Sequence, residues 1–218
     1  MTTNNRDRIL EMVASGKISA AEGDQLLGAL EAPKRSRLRR VLNPFDNLTV
    51  GPAMAIGVVA AVAGIVLSRW GVRFDGALDV HVGHAEVSLR QAVLDQLVAW
   101  PLTAMVLWVA ALPLARRTRA ADLLANVGVA RLPLLWVAAV GVVASPHLPA
   151  NPGQAVSAPG ALVLLAVLTL PALVWSVALL YNAFGAASGL ARVRGGVVFT
   201  AALIAAEVAS KLALGWAP

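Results

Sequence analysis

Cysteine is absent from the 218-residue chain, which excludes disulfides, thiolate metal sites and cysteine nucleophiles. Charged residues are scarce as well, at 14% of the chain, whereas a soluble domain carries about a quarter. Hydrophobic residues make up 58%, and the mean hydropathy is +0.73. A soluble domain of this composition would expose large apolar patches, so the sequence predicts an integral membrane protein.

Motifs of common hydrolases and nucleotide-binding enzymes are also missing. The sequence has no Gly-x-Ser-x-Gly elbow, no His-Glu-x-x-His pair, no Walker loop and no Glu-Glu pair of the intramembrane CAAX-protease kind. Ser145 and Ser176 lie in apolar stretches without a neighbouring base, and their hydroxyls are expected to bond their own helices. The sequence therefore predicts a non-enzymatic protein with no cofactor and no bound metal.

Five apolar stretches follow a polar N-terminal region. Each has about 20 residues, which at roughly 1.5 Å per residue matches a hydrocarbon core about 30 Å thick. The pattern predicts an all-α protein with a helical hairpin (residues 1–32), a basic linker (33–50) and a polytopic bundle of five transmembrane helices (51–218). The expected spans are residues 51–70, 95–115, 129–147, 160–181 and 195–214.

Basic residues are concentrated in alternate loops, which predicts the orientation. A run before the first span and the loop at 116–119 are basic, whereas residues 147–159 carry no Lys or Arg. We therefore expect a cytoplasmic N-terminus and an external C-terminus. The Ala-, Val- and Arg-rich composition indicates a bacterial plasma membrane. The net charge of +6 indicates contact with anionic membrane lipids, not with nucleic acid. The basic run comprises Lys34, Arg35, Arg37, Arg39 and Arg40.

Two elements are expected between the spans. Residues 118–130 have an Arg-rich approach and an apolar stripe, which predicts a short helix at the cytoplasmic membrane surface. Residues 77–87 alternate between apolar and polar side chains, which predicts a short strand or hairpin turning at Gly83. Ser88 and Gln91 are then placed to cap the helix of the second span.

Residues 6–31 have the pattern of two short helices. Ile9 and Val13 belong to the apolar stripe of the first, and Leu26, Leu27 and Leu30 form the stripe of the second. Helices of this length are marginal alone, and a hairpin of two has little core. These five residues are therefore the expected partner-binding surface, toward a second copy, a protein partner or the membrane.

The turn between the two helices carries a recognisable motif. Gly16 and Lys17 end the first helix, and Ser19-Ala-Ala-Glu22 is a capping box, in which each side chain bonds the backbone N–H of the other residue. Together with the leucine pair that follows, residues 9–30 resemble the SHOCT-like helical hairpin of bacterial membrane-associated proteins. The resemblance implies an interaction or oligomerisation module and no catalysis.

Glu207 is the only carboxylate expected well inside a span. Intramembrane charges are costly and indicate function by default. Lys211 lies four residues on, on the same helix face, which favours an intrahelical ion pair. A proton or substrate role for Glu207, or a role in helix association, remains open at this point.

His81 and His84 lie near three acidic residues in the loop before the second span. On a helix, two histidines at this spacing could share a metal with a carboxylate, but on a strand their side chains point to opposite faces. We expect a solvated polar loop, with metal binding and pH sensing as the alternatives.

Residues 40–214 are similar in architecture to bacterial members of the Ypt-interacting-protein (Yip) family. The similarity rests on the polar N-terminal region, Asn43-Pro44-Phe45 before the first span, the five spans and the external C-terminus. The family implies a small helical bundle that acts as an adaptor or oligomeric membrane factor without catalytic residues.

The leading hypothesis is a membrane adaptor or organiser that acts through its hairpin, by binding a protein partner or by forming a homo-oligomer. The alternative is a transporter or channel subunit built around Glu207 and the proline-kinked spans. The spans carry few polar groups, and five spans cannot divide into equal inverted halves, which disfavours this alternative.

Overall fold

The computed structural model describes residues 2–31, 41–83, 86–147, 159–190 and 192–215. The chain divides into two compact units, Met1–Val41 and Leu42–Pro218. Helices dominate both units, which confirms the predicted all-α fold.

The N-terminal unit contains helices α1 (Thr2–Ala14) and α2 (Ala20–Glu31), which pack against each other. The predicted capping box is present: the Ser19 N–H donates to Glu22 Oε2 at 2.8 Å, and the Glu22 N–H donates to Ser19 Oγ at 3.2 Å. The bond from the Ser19 N–H lowers the pKa of Glu22. Gly16 has a φ of +69°, a left-handed conformation that suits glycine at a helix C-terminus.

Gly23 in α2 has a packing role that its helix propensity alone does not suggest. The residue is buried, and a Cβ built on it would collide with the side chain of Val13 in α1. Glycine costs an α-helix roughly 1 kcal/mol relative to alanine. Here that cost is offset by the close approach of the two helices.

Over the residues that the structure describes, the second unit contains five helices long and apolar enough to cross a membrane, in agreement with the expected number of spans. The protein is therefore a multi-pass membrane protein. Its helices are α3 (Val50–Leu67), α4 (Leu89–Ala111), α5 (Ala120–Ala130), α6 (Leu132–Ala144), α7 (Pro159–Ser188) and α8 (Arg192–Gly215). Three short 3-10 turns accompany them at Pro44–Asp46, Ser68–Trp70 and Ser145–His147.

The spans run Val50–Trp70, Leu89–Ala111, Ala120–Ala144, Gly160–Ser188 and Val193–Gly215. The second and third begin earlier than the apolar stretches suggest, because their helices extend back over charged residues, Arg90 in the second and Asp122 in the third. An odd number of spans places the two ends of the unit on opposite sides of the membrane. We call the side that carries the loop between α3 and α4 the distal side.

Helix α5 lies at the centre of the bundle and forms the first half of the third span, so it is not the surface helix that its sequence predicts. Its buried residues are Leu123 and all those from Ala125 to Ala130. The helix packs against α3, α4 and α7. At the contact with α3, a Cβ on Gly128 would lie 2.8 Å from the Cα of Gly57. The small residues of α5 thus permit a helix contact that larger side chains would prevent.

The third span is interrupted between α5 and α6. Pro133 has no N–H to continue the helical hydrogen bonds, and the Leu134 N–H bonds the carbonyl of Arg131 at 3.0 Å. The freed carbonyl of Ala130 accepts from Ser176 Oγ of α7 at 2.8 Å. The expectation that Ser176 bonds its own helix is therefore wrong, whereas Ser145 does so, donating to the Val142 carbonyl at 3.1 Å.

The loop between α3 and α4 contains two short strands, β1 (Val72–Arg73) and β2 (His81–Val82), which pair antiparallel. A short strand or hairpin was expected over residues 77–87, with its turn at Gly83. The strand β2 lies in that range, but it pairs with β1, which precedes it, so the chain reverses between Arg73 and His81. The predicted cap of α4 is confirmed, since Ser88 Oγ accepts from the Gln91 N–H at 3.2 Å.

Candidate functional site

Polar and charged side chains gather beneath the loop on the distal side of the bundle. Residues 72–82 of this loop, which we call the plug segment, fold back against the helices. Val72, Phe74 and Ala77 are almost fully buried. Val72 and Phe74 form an apolar cluster with Leu134 and Ala138 of α6. The segment is thus part of the bundle core and not a solvated loop.

Two charged residues of α8 bind the plug segment. Glu207 accepts from the Leu78 N–H at 3.2 Å, and a Cβ on Gly76 would collide with its carboxylate. Lys211, one turn nearer the distal side, lies 3.1 Å from Asp75 and also pairs with Asp79. The i, i+4 spacing led us to expect an ion pair between Glu207 and Lys211. The structure instead gives each of them a partner on the plug segment.

Arg131 lies at the break between α5 and α6, in the middle of the third span. Its side chain is buried and donates to the Gly76 carbonyl at 3.4 Å and to Gln96 Oε1 at 3.5 Å. Glu207 supplies the opposite charge that favours the buried guanidinium. The peptide groups of Gly76 and Leu78 are therefore held between a cation and an anion from two different spans.

A second ion pair ties the plug segment to α4. Asp95 is 1% exposed and receives two bonds from Arg73, from Nε at 3.1 Å and from Nη2 at 3.0 Å. Gln91 Nε2 donates to the same carboxylate at 2.7 Å. The hydrogen bonds that Arg73 donates to Asp95 raise the pKa of Arg73. A bidentate pair with a third donor fixes the Arg73 end of the segment against the second span.

Three groups on the plug segment have a geometry that could also hold a cation. Ligand atoms of Asp75, Asp79 and His81 lie within 4.8 Å of one another. His81 is half exposed and approaches Asp75 at 2.9 Å and Asp79 at 3.4 Å. The ammonium of Lys211 already pairs with both carboxylates, so the protein supplies a cation of its own here. His84 lies outside the described residues.

Acidification should weaken the seating of the plug segment, because Asp75 is held as a carboxylate. Partial burial acts to raise the pKa of Asp75, but hydrogen bonds from His81 and Lys211 outweigh it, and the pKa is lowered. A carboxylate whose pKa is lower in the folded state stabilises the fold at pH values above its unfolded pKa of about 3.9. That stabilisation is lost as the pH falls through the folded pKa. The midpoint temperature of thermal unfolding, measured from pH 7 to pH 3, should therefore fall more steeply for the wild type than for Asp75→Asn. Parallel curves would contradict this assignment.

Two cavities lie near the plug segment and the helices that contact it. A groove of 580 Å³ between α6 and α7 is lined by apolar side chains and by Trp136, whose Nε1 donates to the Leu168 carbonyl at 3.0 Å. A second cavity of 600 Å³ on the distal side is lined by Arg73, His81, Glu86 and Ser88 among others. Arg73 and Glu86 are each in an ion pair, and His81 lies 2.9 Å from Asp75.

The predicted partner-binding residues of the hairpin occupy different environments. Ile9 is buried, Val13 and Leu27 are half-buried, and Leu26 is exposed. The side chain of Leu30 lies outside the described part of the chain. The basic run also lies outside the described residues, so its contacts with membrane lipids stay a prediction: Lys34, Arg35, Arg37, Arg39 and Arg40.

Sequence reasoning missed three members of the polar cluster. Asp95 lies inside the second span, so Glu207 is not the only intramembrane carboxylate. Arg131 falls near the start of the expected third span, residues 129–147, and counts there as a basic residue of the preceding loop, and Gln96 has no expected role. The available signal is the apolar sequence that directly adjoins Arg131 on both sides, Val127 to Ala130 and Leu132 to Val140, which favours a charge inside one span.

A family model described as a SHOCT-like domain matches residues 4–35. The match covers the hairpin and confirms the SHOCT-like resemblance for that part of the chain. No curated protein and no solved structure matches the sequence. The comparisons give no support to the resemblance to the Yip family, which stays a hypothesis.

Proposed function

We propose that this protein is a non-enzymatic membrane adaptor or organiser, in which the five-span bundle anchors a self-associating N-terminal hairpin. The incomplete core of the hairpin carries the proposal. Among the hairpin side chains that the structure describes, residues 5–28, Ile9 is the only buried hydrophobic one, while Leu10 and Leu26 are 49% and 42% exposed.

A unit of this size rarely provides enough core by itself. Chains below about 40 residues usually need disulfides, metals or oligomerisation to fold stably. The chain has no cysteine, which leaves association as a source of further burial. A membrane anchor favours a second copy as the partner, because confinement in one plane raises the effective concentration of identical hairpins.

We place the hairpin in the cytoplasm and the C-terminus outside, in a bacterial plasma membrane. The basic run between hairpin and bundle supports this orientation, since Lys and Arg beside a first span stay cytoplasmic. Anionic lipids of the inner leaflet would attract the same run. An adaptor role is also what the hypothetical resemblance to bacterial Yip proteins implies.

Replacing Leu10 and Leu26 together by Asp should abolish self-association while leaving membrane insertion unchanged. Burial of one leucine contributes about 1.5–3 kcal/mol, so losing two should weaken association more than about a hundredfold. Cross-linking in native membranes, followed by sizing of the purified products, measures the change. Ser15→Asp with Gln25→Asp adds the same charge at two exposed hairpin positions and serves as the control.

Equal oligomer profiles for the leucine variant and the control would contradict the proposal. Cross-links to a different protein that disappear only with the leucine variant would keep the adaptor role but replace self-association by a partner. Both outcomes are read from the same gel and mass-spectrometric analysis.

A transporter or channel subunit is the rival, and it would use Glu207 as its coupling residue. An intramembrane carboxylate near Arg131 is the observation in its favour. However, Glu207 bonds the Leu78 backbone, and the plug segment lies over the polar cluster. This arrangement suits an anchor for the loop better than an open pathway. The rival predicts that Glu207→Gln abolishes flux in proteoliposomes.

A further inference from the structure

The position of the plug segment depends on contacts with other elements more than on its own backbone. Regular pairing is limited to the two-residue strands at its ends, and the residues between Phe74 and Val80 form bends without helix or strand. Segments with few internal backbone hydrogen bonds open at lower free energy than helices do. What holds this segment is therefore the set of side chains that reach it from α4, α6 and α8, together with Arg131 between α5 and α6.

Besides the Arg73–Asp95 pair at its start, the segment makes polar contacts at two depths. Deeper in the bundle, Arg131 and Glu207 bond the backbone of Gly76 and Leu78. Nearer the distal side, Lys211 pairs with Asp75 and Asp79. The side chain of Lys211 is 38% exposed, so ions and water reach this outer pair. The outer contact of Lys211 is thus open to the ions and water outside. The inner contacts of Arg131 and Glu207 lie beneath it.

The groups beneath the plug segment would accept water if it moved away. Arg131, Gln96 and Phe74 border a void of 10 Å³, about the smallest size that holds one water molecule. The guanidinium of Arg131 has five N–H groups, and the two recorded hydrogen bonds are long, at 3.4 and 3.5 Å. With the segment seated, its peptide groups bond Arg131 and Glu207. With the segment lifted, water would satisfy the same charges.

We propose that residues 72–82 are a releasable plug that closes the distal half of the bundle, latched by Lys211 to Asp75 and Asp79. Two arrangements then compete: a closed one with a dry polar cluster, and an open one in which water reaches Arg131 and Glu207. The balance is set by an ion pair that touches solvent. This proposal is independent of the function proposed for the hairpin.

The absence of cysteine makes the plug testable by labelling. Ala77 is 1% exposed in the seated segment, so Ala77→Cys in the full chain reports its opening. The protein is placed in lipid nanodiscs, which leave both faces accessible, and labelled with a charged maleimide. We expect slow labelling with native Lys211, labelling about tenfold faster or more with Lys211→Gln, and slow labelling again with the charge-conserving Lys211→Arg.

Ala99→Cys is the fold control, because Ala99 is fully buried within α4. If this cysteine also becomes reactive with Lys211→Gln, the bundle has unfolded. The Asp75→Asn, Asp79→Asn double variant then replaces Lys211→Gln, and its labelling at Ala77→Cys is compared with its labelling at Ala99→Cys. Fast labelling of Ala77→Cys with native Lys211 would overturn the proposal, since the segment would not be seated. Equal slow labelling in every latch variant would overturn it too, because apolar packing and the Arg73–Asp95 pair would then hold the segment without Lys211.

Discussion

Asp95→Asn should destabilise the bundle by about 3 kcal/mol, the lower end of the range for breaking one partner of a buried ion pair. The carboxylate is 1% exposed, and it binds both Nε and Nη2 of Arg73 together with Gln91. Removing its charge leaves a guanidinium without its anion beside a membrane span. We choose the lower end because the Arg73 side chain is 38% exposed and can partly hydrate. Reversible unfolding in mixed micelles gives the free energy directly.

Glu86→Gln is the matched control for this prediction. It removes a carboxylate from the same loop region, but its partner Arg69 lies 3.7 Å away, and both side chains are mostly exposed. Exposed pairs of this kind contribute about 0–1 kcal/mol. If Asp95→Asn and Glu86→Gln have the same effect, the buried pair does not stabilise the junction between the loop and α4.

Gly128→Ala should destabilise the protein by about 1–3 kcal/mol, even though alanine is the better helix former. The added methyl group would lie 2.8 Å from the Cα of Gly57 and 2.7 Å from the ring of Trp100. Backbone cannot yield as a flexible side chain can, and the Trp100 ring is fixed by its Nε1 bond to the Leu124 carbonyl at 2.8 Å. Helices α3 and α5 must therefore move apart.

Gly196→Ala tests whether this effect comes from packing. Gly196 lies within α8, and nothing is within 4 Å of a Cβ placed on it. Its replacement should therefore leave the free energy of unfolding unchanged or raise it by up to about 1 kcal/mol, because alanine is the better helix former. A loss at Gly128 no larger than that at Gly196 would show that the contact between α3 and α5 tolerates a methyl group.

Features determined by local sequence could be predicted at the level of single residues. The Ser19–Glu22 capping box and the Ser88 cap depend on residues three positions apart, and both are present as expected. The number of spans follows from the length of apolar runs, and it is correct as well. Such signals need no knowledge of the neighbouring helices.

Features that depend on contacts between distant residues could not be predicted. The apolar stripe of α5 suits a membrane surface equally well, and only its partners Gly57 and Trp100 place it at the bundle centre. Lys211 has a good intrahelical candidate in Glu207, yet its partners lie 132 and 136 positions earlier, at Asp79 and Asp75. No periodicity encodes such a pairing, because it requires the loop to fold back onto the spans.

The central claim of this account is that the hairpin drives association while the bundle only anchors it. The most direct measurement compares cross-linked complexes from native membranes for the intact chain and for a chain that lacks residues 1–32. The account predicts that defined homo-oligomers form with the intact chain and disappear with the shortened one, while both insert equally. Identical oligomer profiles for the two chains would contradict the account and move the function into the bundle, where Glu207 would be the first residue to replace.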